Sequence, residues 1–361
     1  MEPFKLGHRK ALDGVRGLAI LMVYASHTAA LPLAGGFFGV DLFFVLSGFL
    51  ITSILLEEWR ETLDISLKAF YARRALRLLP ALVLMLAVVT AVSYAFEPPD
   101  LARRMGKSAL MTFLYGANWF LAFRAYPRAD LSHTWSLSVE EQFYLIWPLV
   151  LLALLKLRWS KGAMIAFLSA GILASAGLRA WLFGGFGSWE RVYYGTDTHA
   201  DGLLVGALVA LITWSGDAPR SPRGVLVLNW AGFAFLIYFL VFLAWGWPAD
   251  AHLIQGTYLP MNLGAGVLVL SLVCSPWRPL QACFESGPLV WLGRLSYGIY
   301  LWHIPAGLLS ALLGVPGRWH WAGTLALTLG ISSVSFYALE RPVLRLKRRF
   351  ERVGTKAPIS P

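Results

Sequence analysis

Long apolar blocks alternate with short polar segments along this chain. A helix needs about 20 apolar residues to cross the ~30 Å hydrocarbon core of a membrane. The pattern therefore predicts an all-α, polytopic membrane helix bundle. Eleven candidate runs lie near residues 11–31, 36–56, 78–96, 106–122, 134–155, 163–183, 198–214, 225–246, 258–274, 289–313 and 320–339.

Loop charge reduces these runs to about ten transmembrane helices. Cytoplasmic loops carry an excess of Lys and Arg, which here marks residues 60–77, 156–162 and the tail from about 341. An even number of crossings separates any two cytoplasmic segments. Three runs, 78–96, 106–122 and 134–155, lie between the cytoplasmic segments 60–77 and 156–162, so one of these runs should not cross. The weakest of the three is 106–122, which contains Lys107, and we expect it to be re-entrant or to lie at the outer interface. Both termini are then cytoplasmic, and the whole chain is one integral-membrane domain with a short basic tail.

Composition agrees with a membrane protein and argues against nucleic acid as a partner. Hydrophobic residues make up 57% of the chain and charged residues only 14%, against about 25% charged in a soluble domain. The formal net charge of +11 comes from basic clusters between apolar runs, as in cytoplasmic loops. The two cysteines, Cys274 and Cys283, stand outside any metal-ligand spacing, and we expect no metal.

Two ionisable side chains in the first run share one helix face. Arg16 and His27 stand eleven residues apart, which at ~100° and 1.5 Å per residue aligns them about 16 Å apart along the axis. Ionisable residues inside a membrane usually line a cavity. With the N-terminus inside, Arg16 lies towards the cytoplasm and His27 in the outer half. A snorkelling arginine and a packed histidine are the alternative.

Asp41 begins the second run, "GVDLFFVLSGFLIT", at the level predicted for His27. A carboxylate there could orient the imidazole and stabilise its protonated form. It could equally begin a helix whose dipole favours an acid, and the sequence leaves both open. Ser47 in the same run has no identifiable base beside it, so we assign it no nucleophilic role.

Three arginines of "FYARRALRLLP" are predicted to meet the cytoplasmic face, namely Arg73, Arg74 and Arg77. Their spacing shares a helix side, and guanidinium groups recognise phosphate through planar bidentate contacts. Arg294 on a later span would lie at the same level. The positive-inside rule alone explains these arginines equally well.

The densest polar segment is "SHTWSLSVEEQFYLIWP". His133, Glu140 and Tyr144 are spaced by seven and four residues, close to one helical face. Alternatively, Ser138 and Glu141 form a capping box that starts the helix and leaves His133 in the preceding loop. Both alternatives make Glu140 an acid at the outer end of a span.

Two further patches are weaker. "TDTHADGLLVGAL" places Asp197, His199 and Asp201 at the outer start of a span. "GRLSYGIYLWHIP" places Tyr300 and His303 on one helix side. An aromatic belt accounts for the tyrosines of the second patch, but a histidine in mid-span is harder to explain.

In this order, these segments resemble the membrane-bound acyltransferase-3 family of bacterial O-acyltransferases. The resemblance rests on Arg16 and His27 with ten residues between them, on "GVDLFFVLSGFLIT", "FYARRALRLLP", "HTWSLSVEEQFYLIWP" and "LGRLSYGIYLWH", and on the closing "ERP" at 340–342. Each motif is loose alone, but the ordered set is specific and runs from residue 11 to residue 342.

The resemblance implies transfer of an acyl group, usually acetyl, from cytoplasmic acyl-CoA to a hydroxyl. Acceptors in the family include surface polysaccharides such as O-antigen and small glycosides such as macrolides. The site would lie in the bacterial plasma membrane, in contact with lipid. By matching position, the resemblance and the residues together predict three groups: catalytic His27, Asp41 and Glu140, acyl-CoA-binding Arg16, Arg73 and Arg77, and acceptor-binding Tyr144 and His303.

Two departures from the family pattern bear on this expectation. Members commonly read T-D-T-R-A-D where this chain has His199, so the family's contact at that position is not carried over. Some members carry an exported esterase-like domain after the last span; because this sequence ends at 361, we expect the acceptor to come to the membrane.

The rival class is a proton-coupled secondary transporter of a sugar or a similar polar solute. Buried His, Asp and Glu also form proton relays. Against this class, the chain shows neither a repeat of two halves nor a matching pair of broken helices.

A reporter fused after residue 352 should behave as cytoplasmic, because the basic tail and the parity of the crossings both place it there. Fusions to alkaline phosphatase and to green fluorescent protein at that position report the side directly. An active phosphatase would show that the parity argument is wrong.

Overall fold

The computed structural model describes residues 4–28, 35–125, 131–245, 251–275 and 277–346, and it shows no β-strand among them. The first half contains α1 (Lys10–Thr28), α2 (Gly39–Thr62), α3 (Leu67–Phe96), α4 (Pro99–Phe113), α5 (Ala117–Ala122), α6 (Trp135–Lys156) and α7 (Lys161–Trp181). The second half contains α8 (Trp189–Tyr194), α9 (Thr196–Ser215), α10 (Pro222–Trp245), α11 (Ala251–Cys274), α12 (Arg278–Phe284), α13 (Gly287–Leu312), α14 (His320–Val334) and α15 (Arg341–Arg345).

Most of the long helices are suited to a membrane. In the described part of the chain, eight helical segments are long and apolar enough to span one. Two further helices, α1 with 19 residues and α13 with 26, are comparably long but carry more polar side chains. The predicted polytopic all-α membrane protein is therefore confirmed, while ten crossings and cytoplasmic termini stay predictions.

Two surface ion pairs show which helix corners lie at the same end of the bundle. Lys156 Nζ lies 3.4 Å from Asp64 Oδ1, which joins the α6–α7 corner to the α2–α3 corner. Lys161 Nζ lies 2.8 Å from Asp217 Oδ2, which adds the α9–α10 corner. We call this the basic end. Run 106–122 forms parts of α4 and α5, with 15 and 6 residues, and neither helix is among the described segments that are long and apolar enough to span a membrane.

The start of α6 lies deeper in the bundle than the sequence suggested. A 3₁₀ turn, Ser132–Thr134, leads directly into α6 at Trp135, and the Thr134 hydroxyl lies 3.0 Å from that of Thr112 at the end of α4. Leu137 shares an apolar cluster with Ala81 and Leu82 of α3. Since α3 continues to Phe96, it extends about 20 Å beyond the start of α6 at 1.5 Å per residue.

Because α6 begins at Trp135, the alternative in which Ser138 and Glu141 form a capping box is wrong. Ser138 lies inside α6, where its hydroxyl donates back to the Thr134 carbonyl at 3.4 Å. Glu141 turns instead towards Arg74.

Glycines bring α1 and α13 into backbone contact. A Cβ added to Gly17 would lie 2.1 Å from the Leu289 carbonyl oxygen, and one added to Gly293 would lie 1.8 Å from the Asp13 carbonyl oxygen. No larger residue fits such an approach, which is a common way for membrane helices to pack closely. The polar faces of α1 and α13 are thereby held side by side.

Glycines also bring α2 and α9 into backbone contact. A Cβ on Gly48 would lie 1.9 Å from the Leu203 carbonyl oxygen, and one on Gly206 would lie 2.1 Å from that of Val45. Phe44 and Phe49 of α2 are at most 1% exposed. Helix α2 therefore forms the centre of the bundle, with α1 and α9 packed against it.

Gly17→Ala should destabilise the protein, because the new methyl group overlaps the backbone of α13. Overpacking a tight contact typically costs about 1–3 kcal/mol, and thermal unfolding of purified protein in detergent measures the loss. Gly330→Ala in α14 is the matched control, since nothing lies within 4 Å of the added atom. Equal melting temperatures for the two variants would contradict the close approach of α1 and α13.

Candidate active site

A group of arginines gathers around one carboxylate near the basic end. Arg16 Nη1 lies 3.2 Å from Asp13 Oδ1, and Arg294 Nε of α13 lies 3.9 Å from Asp13 Oδ2. Arg77 of α3 interacts electrostatically with both Arg16 and Asp13. We call Arg16, Arg77, Arg294 and Asp13 the arginine vestibule. Three cations against one anion leave it positive, and the Arg16 and Arg294 side chains are 21% and 35% exposed, so an anion can reach it.

A charged cluster lies between α3 and α6, beside the vestibule residue Arg77. Arg74 Nη2 lies 3.5 Å from Glu140 Oε1 and 3.4 Å from Glu141 Oε1, and its guanidinium lies 3.6 Å from the centre of the Tyr144 ring. The hydroxyls of Ser47 and Tyr144 both donate to Glu140. One guanidinium is thus shared by two carboxylates and offsets one of their two charges, which would be costly to bury unpaired.

This cluster corrects three sequence-based expectations. Glu140 was predicted at the outer end of its span and Arg74 at the cytoplasmic face, yet they touch, because α6 starts beside the middle of α3. Tyr144 was predicted to bind the acceptor, but it is 2% exposed and covered by Arg74, so it orders the charged cluster instead. Ser47 does have a potential base beside it, the Glu140 carboxylate.

Three histidines meet beyond the charged cluster, at the C-terminal end of α1. The ring centres of His27 and His303 lie 5.0 Å apart, and those of His303 and His133 lie 5.1 Å apart. The Tyr300 hydroxyl donates to the His133 carbonyl and lies 2.5 Å from the Ser136 hydroxyl. His27 is exposed, whereas His303 and His133 are 1% and 4% exposed. His27 is therefore the imidazole that a substrate can reach, and the other two lie behind it.

Backbone carbonyls determine which ring nitrogen of His27 and His303 carries the hydrogen. His27 Nδ1 lies 2.8 Å from the Val23 carbonyl oxygen, and His303 Nδ1 lies 2.7 Å from that of Tyr300. A carbonyl only accepts hydrogen bonds, so Nδ1 is the donor and Nε2 of the neutral ring is left as a base. His303 was predicted to bind the acceptor, but its depth suits it to contact His27 instead.

The arginine vestibule, the charged cluster and the histidines form one polar path. Arg16 and His27 lie on the same helix, as predicted from their spacing. Between them, Ser47, Arg74, Glu140 and Tyr297 all keep partial exposure although the surrounding helices are packed. The polar side chains between the two ends are therefore not sealed off by the surrounding helices.

Arg73 is tied to the α2–α3 corner. Its Nη2 lies 3.2 Å from Glu58 Oε2, and Glu58, which is 3% exposed, also accepts the Ser66 backbone N–H at 2.8 Å. This ion pair gives Arg73 a structural role at the α2–α3 corner. The structure thus divides the predicted donor-binding arginines, with Arg16 and Arg77 in the vestibule and Arg73 paired at the corner.

Asp41 does not form the expected pair with His27. The His27 imidazole bonds to the Val23 carbonyl and faces His303, while Asp41 lies in the electrostatic range of Arg179 and Asp201. The cause is the contact of Gly48 with α9. Asp41 stands seven residues before Gly48, hence on the same helix face, so it turns towards α9 as well.

Sequence analysis assigned no role to several residues that complete the path. Arg74 was grouped with its neighbours, and Glu141 was assigned only to a cap. His133 and Tyr300 were noted but left out of the predicted site. The available signal was the density of polar residues in two apolar runs, since membrane-embedded polar residues tend to face one another.

Comparisons with known proteins identify the family of this chain. A family model described as an acyltransferase domain, acyltransferase-3, matches residues 9–337. The peptidoglycan O-acetyltransferase OatA of Listeria monocytogenes is 37% identical over 349 residues, covering 92% of this chain and 55% of that protein. The putative peptidoglycan O-acetyltransferase YrhL of Bacillus subtilis is 35% identical, with 92% and 54% covered. A putative O-acetyltransferase of Staphylococcus aureus is 31% identical, with 98% and 59% covered. No solved structure matches the chain.

The fold and these similarities define a multi-pass bacterial membrane protein with a polar path through its helix bundle. The chain belongs to the acyltransferase-3 family, as the motifs predicted. It spans a little over half the length of the curated relatives described above.

Proposed function

We propose that this chain transfers an acetyl group from acetyl-CoA, supplied from the cytoplasm, to a hydroxyl of a carbohydrate at the membrane. The observation that carries the proposal is the polar path from the positive vestibule to the accessible base His27. Relatives named as O-acetyltransferases support the reaction type, and two named for peptidoglycan support a cell-wall glycan as acceptor.

The donor enters at the vestibule. Its phosphates contact Arg16, Arg77 and Arg294, since guanidinium groups bind phosphate with charge and with geometry. The thin pantetheine arm extends along α1 past the charged cluster, whose side chains are partly exposed. Arg16 and His27 are about 16 Å apart along the helix axis, so the thioester at the end of the arm is delivered to the histidines.

Transfer takes place at His27. Its Nε2 accepts the proton of the acceptor hydroxyl while that oxygen attacks the thioester carbonyl. Collapse of the tetrahedral adduct breaks the carbon–sulfur bond, and the proton passes from His27 to the departing thiolate. The acceptor gains an ester and CoA leaves as the thiol, so protons and electrons balance.

His303 and Glu140 act as positioning residues in this mechanism. His303 lies edge-on to His27, and its own ring is fixed by the Tyr300 carbonyl, so it holds the His27 imidazole in place. Glu140 holds Arg74 and Ser47 between the vestibule and the histidines. Neither residue needs to touch the reacting atoms.

His27→Ala should nearly abolish transfer while leaving the protein folded, because a general base contributes typically 10²–10⁴-fold to rate and His27 is exposed. The measurement is transfer of labelled acetyl from acetyl-CoA to cell-wall glycan by purified protein, with melting temperature recorded in parallel. His320→Ala at the start of α14 is the matched control. A stable His27→Ala protein with normal transfer would refute this base, and uptake of sugar without consumption of acetyl-CoA would favour a transporter.

Arg77→Ala should raise the apparent KM for acetyl-CoA and leave the KM for the acceptor unchanged, since the vestibule meets only the donor's phosphates. Steady-state kinetics with each substrate varied in turn measure the two KM values separately. Arg223→Ala removes an exposed cation next to the α9–α10 corner and should change neither constant. A rise in acceptor KM alone would show that the vestibule does not bind the donor.

A further inference from the structure

A pair of stacked aromatic rings lies at the end of the bundle opposite the basic end. Helix α9 runs from Thr196 to Ser215, next to the basic-end residue Asp217, so the short helix α8 that precedes α9 lies at the opposite end. There the rings of Trp189 and Tyr193 are nearly parallel, with centres 4.5 Å apart and planes inclined by 12°. We call these two residues the aromatic platform. It lies at the same end of the bundle as His27, which is at the C-terminal end of α1.

The platform is accessible on its Trp189 side. Trp189 is 38% exposed and Tyr193 is partly exposed, whereas Trp135, whose ring centre lies 4.9 Å from that of Tyr193, is 6% exposed. The inner ring of the pair is thus held by the bundle, and the outer indole presents surface to a ligand. Because the rings are packed in place beforehand, little side-chain freedom is lost when a ligand binds.

Charged side chains form a rim around the platform. Glu190 Oε2 accepts a hydrogen bond from Arg124 Nη2 at 2.6 Å, and the Arg124 side chain is 65% exposed. Arg191 forms a bidentate pair with Asp197, whose side chain is 39% exposed. An exposed apolar surface with a polar rim is typical of a binding site. The platform therefore offers flat apolar surface and hydrogen-bonding groups side by side.

A pyranose ring matches this combination. One face of a pyranose consists largely of C–H groups with partial positive charge, and the face of an aromatic ring is negative. The sugar hydroxyls point outward from the ring edge, where carboxylates accept and guanidinium groups donate hydrogen bonds. A lipid tail would also cover the rings, but it would remove water from the charged rim without replacing the lost hydrogen bonds. The chemistry of the platform and its rim thus favours a carbohydrate.

Aromatic side chains connect the platform to the histidines. Tyr193 interacts electrostatically with Tyr300, and the ring centres of Tyr300 and His303 lie 5.7 Å apart. His303 in turn lies 5.0 Å from His27. Three side chains thus stand between Trp189 and the base. A sugar on the platform is therefore another ring of the acceptor chain, separate from the ring that receives the acetyl group.

We propose that the aromatic platform is a second acceptor subsite, which stacks a pyranose ring at a distance from the site of transfer. It selects acceptors by length, because a glycan of several rings reaches both the platform and His27, whereas a short one reaches only His27. The platform contacts the C–H face that pyranoses share, so the selection does not depend on the ring substituents. The inference rests on the proposed transfer to a carbohydrate, and it adds that the preferred acceptor is a chain rather than a small glycoside.

Two series of oligosaccharides test the subsite. Cellobiose and cellohexaose form one series, and chitobiose and chitohexaose form the other. In both series, wild-type protein should use the hexasaccharide with a kcat/KM per sugar ring about tenfold higher or more, as expected for one added stacking contact. Trp189→Ala should bring this ratio to within about twofold of unity and leave the disaccharide values unchanged. Trp189→Phe keeps a smaller ring and should retain part of the preference.

Trp181→Ala is the matched control. It removes another indole, 56% exposed, at the C-terminal end of α7 and hence at the same end of the bundle, and it should keep the wild-type ratio. If Trp189→Ala does not fold, Trp189→Leu removes the ring while filling much of its volume, and it should lose the preference for length as well. Melting temperatures of all variants are recorded in parallel.

Equal use of both lengths by the wild-type protein, or an unchanged ratio once the Trp189 ring is removed, would overturn the inference and leave Trp189 as an anchor at the membrane interface. Equal losses with disaccharide and hexasaccharide would overturn it too, because they would show a structural role. Equilibrium binding of the labelled sugars separates this question from the proposed reaction. Tighter binding of both hexasaccharides that Trp189→Ala abolishes supports the subsite even if no acetyl is transferred. Hexasaccharides that bind no better than disaccharides refute the subsite even if transfer occurs.

Discussion

The close contact of α1 with α13 is the constraint on which the rest of the path depends. Where Gly17 and Gly293 meet the facing backbone, the two helices approach nearer than any side chain would allow. This proximity places Arg294 beside Asp13 at one end and His303 beside His27 at the other. Both polar groups thus begin at one helix pair, to which α3 adds Arg74 and Arg77 and α6 adds Glu140 and Glu141. Small residues in these two helices do as much for the site as the ionisable ones.

The cost of buried charge explains how the polar side chains inside the bundle are arranged. Breaking up a buried ion pair costs several kcal/mol, whereas a fully satisfied pair is tolerated. Arg179 and Asp201 follow this rule with bidentate geometry. Arg74 with its two glutamates is partly exposed instead, as expected for charges that border an open path. Asp41 and Asn262 follow neither pattern, since they are buried and have unpartnered atoms.

The features that were predictable from the sequence lie within single helices. The placement of Arg16 and His27 on one helix follows from helix periodicity, and loop charge identified 106–122 as the weakest candidate span. Asp41 was misplaced because its direction depends on which helix packs against Gly48, and that partner lies far away in the sequence. Glu140 was misplaced because the depth at which α6 starts is decided by its contacts with α3 and α4. Tyr144 looked like a binding residue because its spacing from Glu140 is helical, but the arginine that covers it comes from α3. Long-range contacts of this kind leave no local pattern.

Arg16 and His27 lie on one continuous helix, so a donor bound as proposed would meet a fixed distance between the arginines and the base. Loop motions do not alter the distance between the two residues, because it is set by the rise of the helix. A thioester with any acyl chain presents its carbonyl at the same point, since the carrier arm is the same. What differs is the space beyond that point, where His303 and His133 form a buried wall behind His27. Selectivity for a short acyl group would then reside in this wall, at the C-terminal end of α1, away from the arginines.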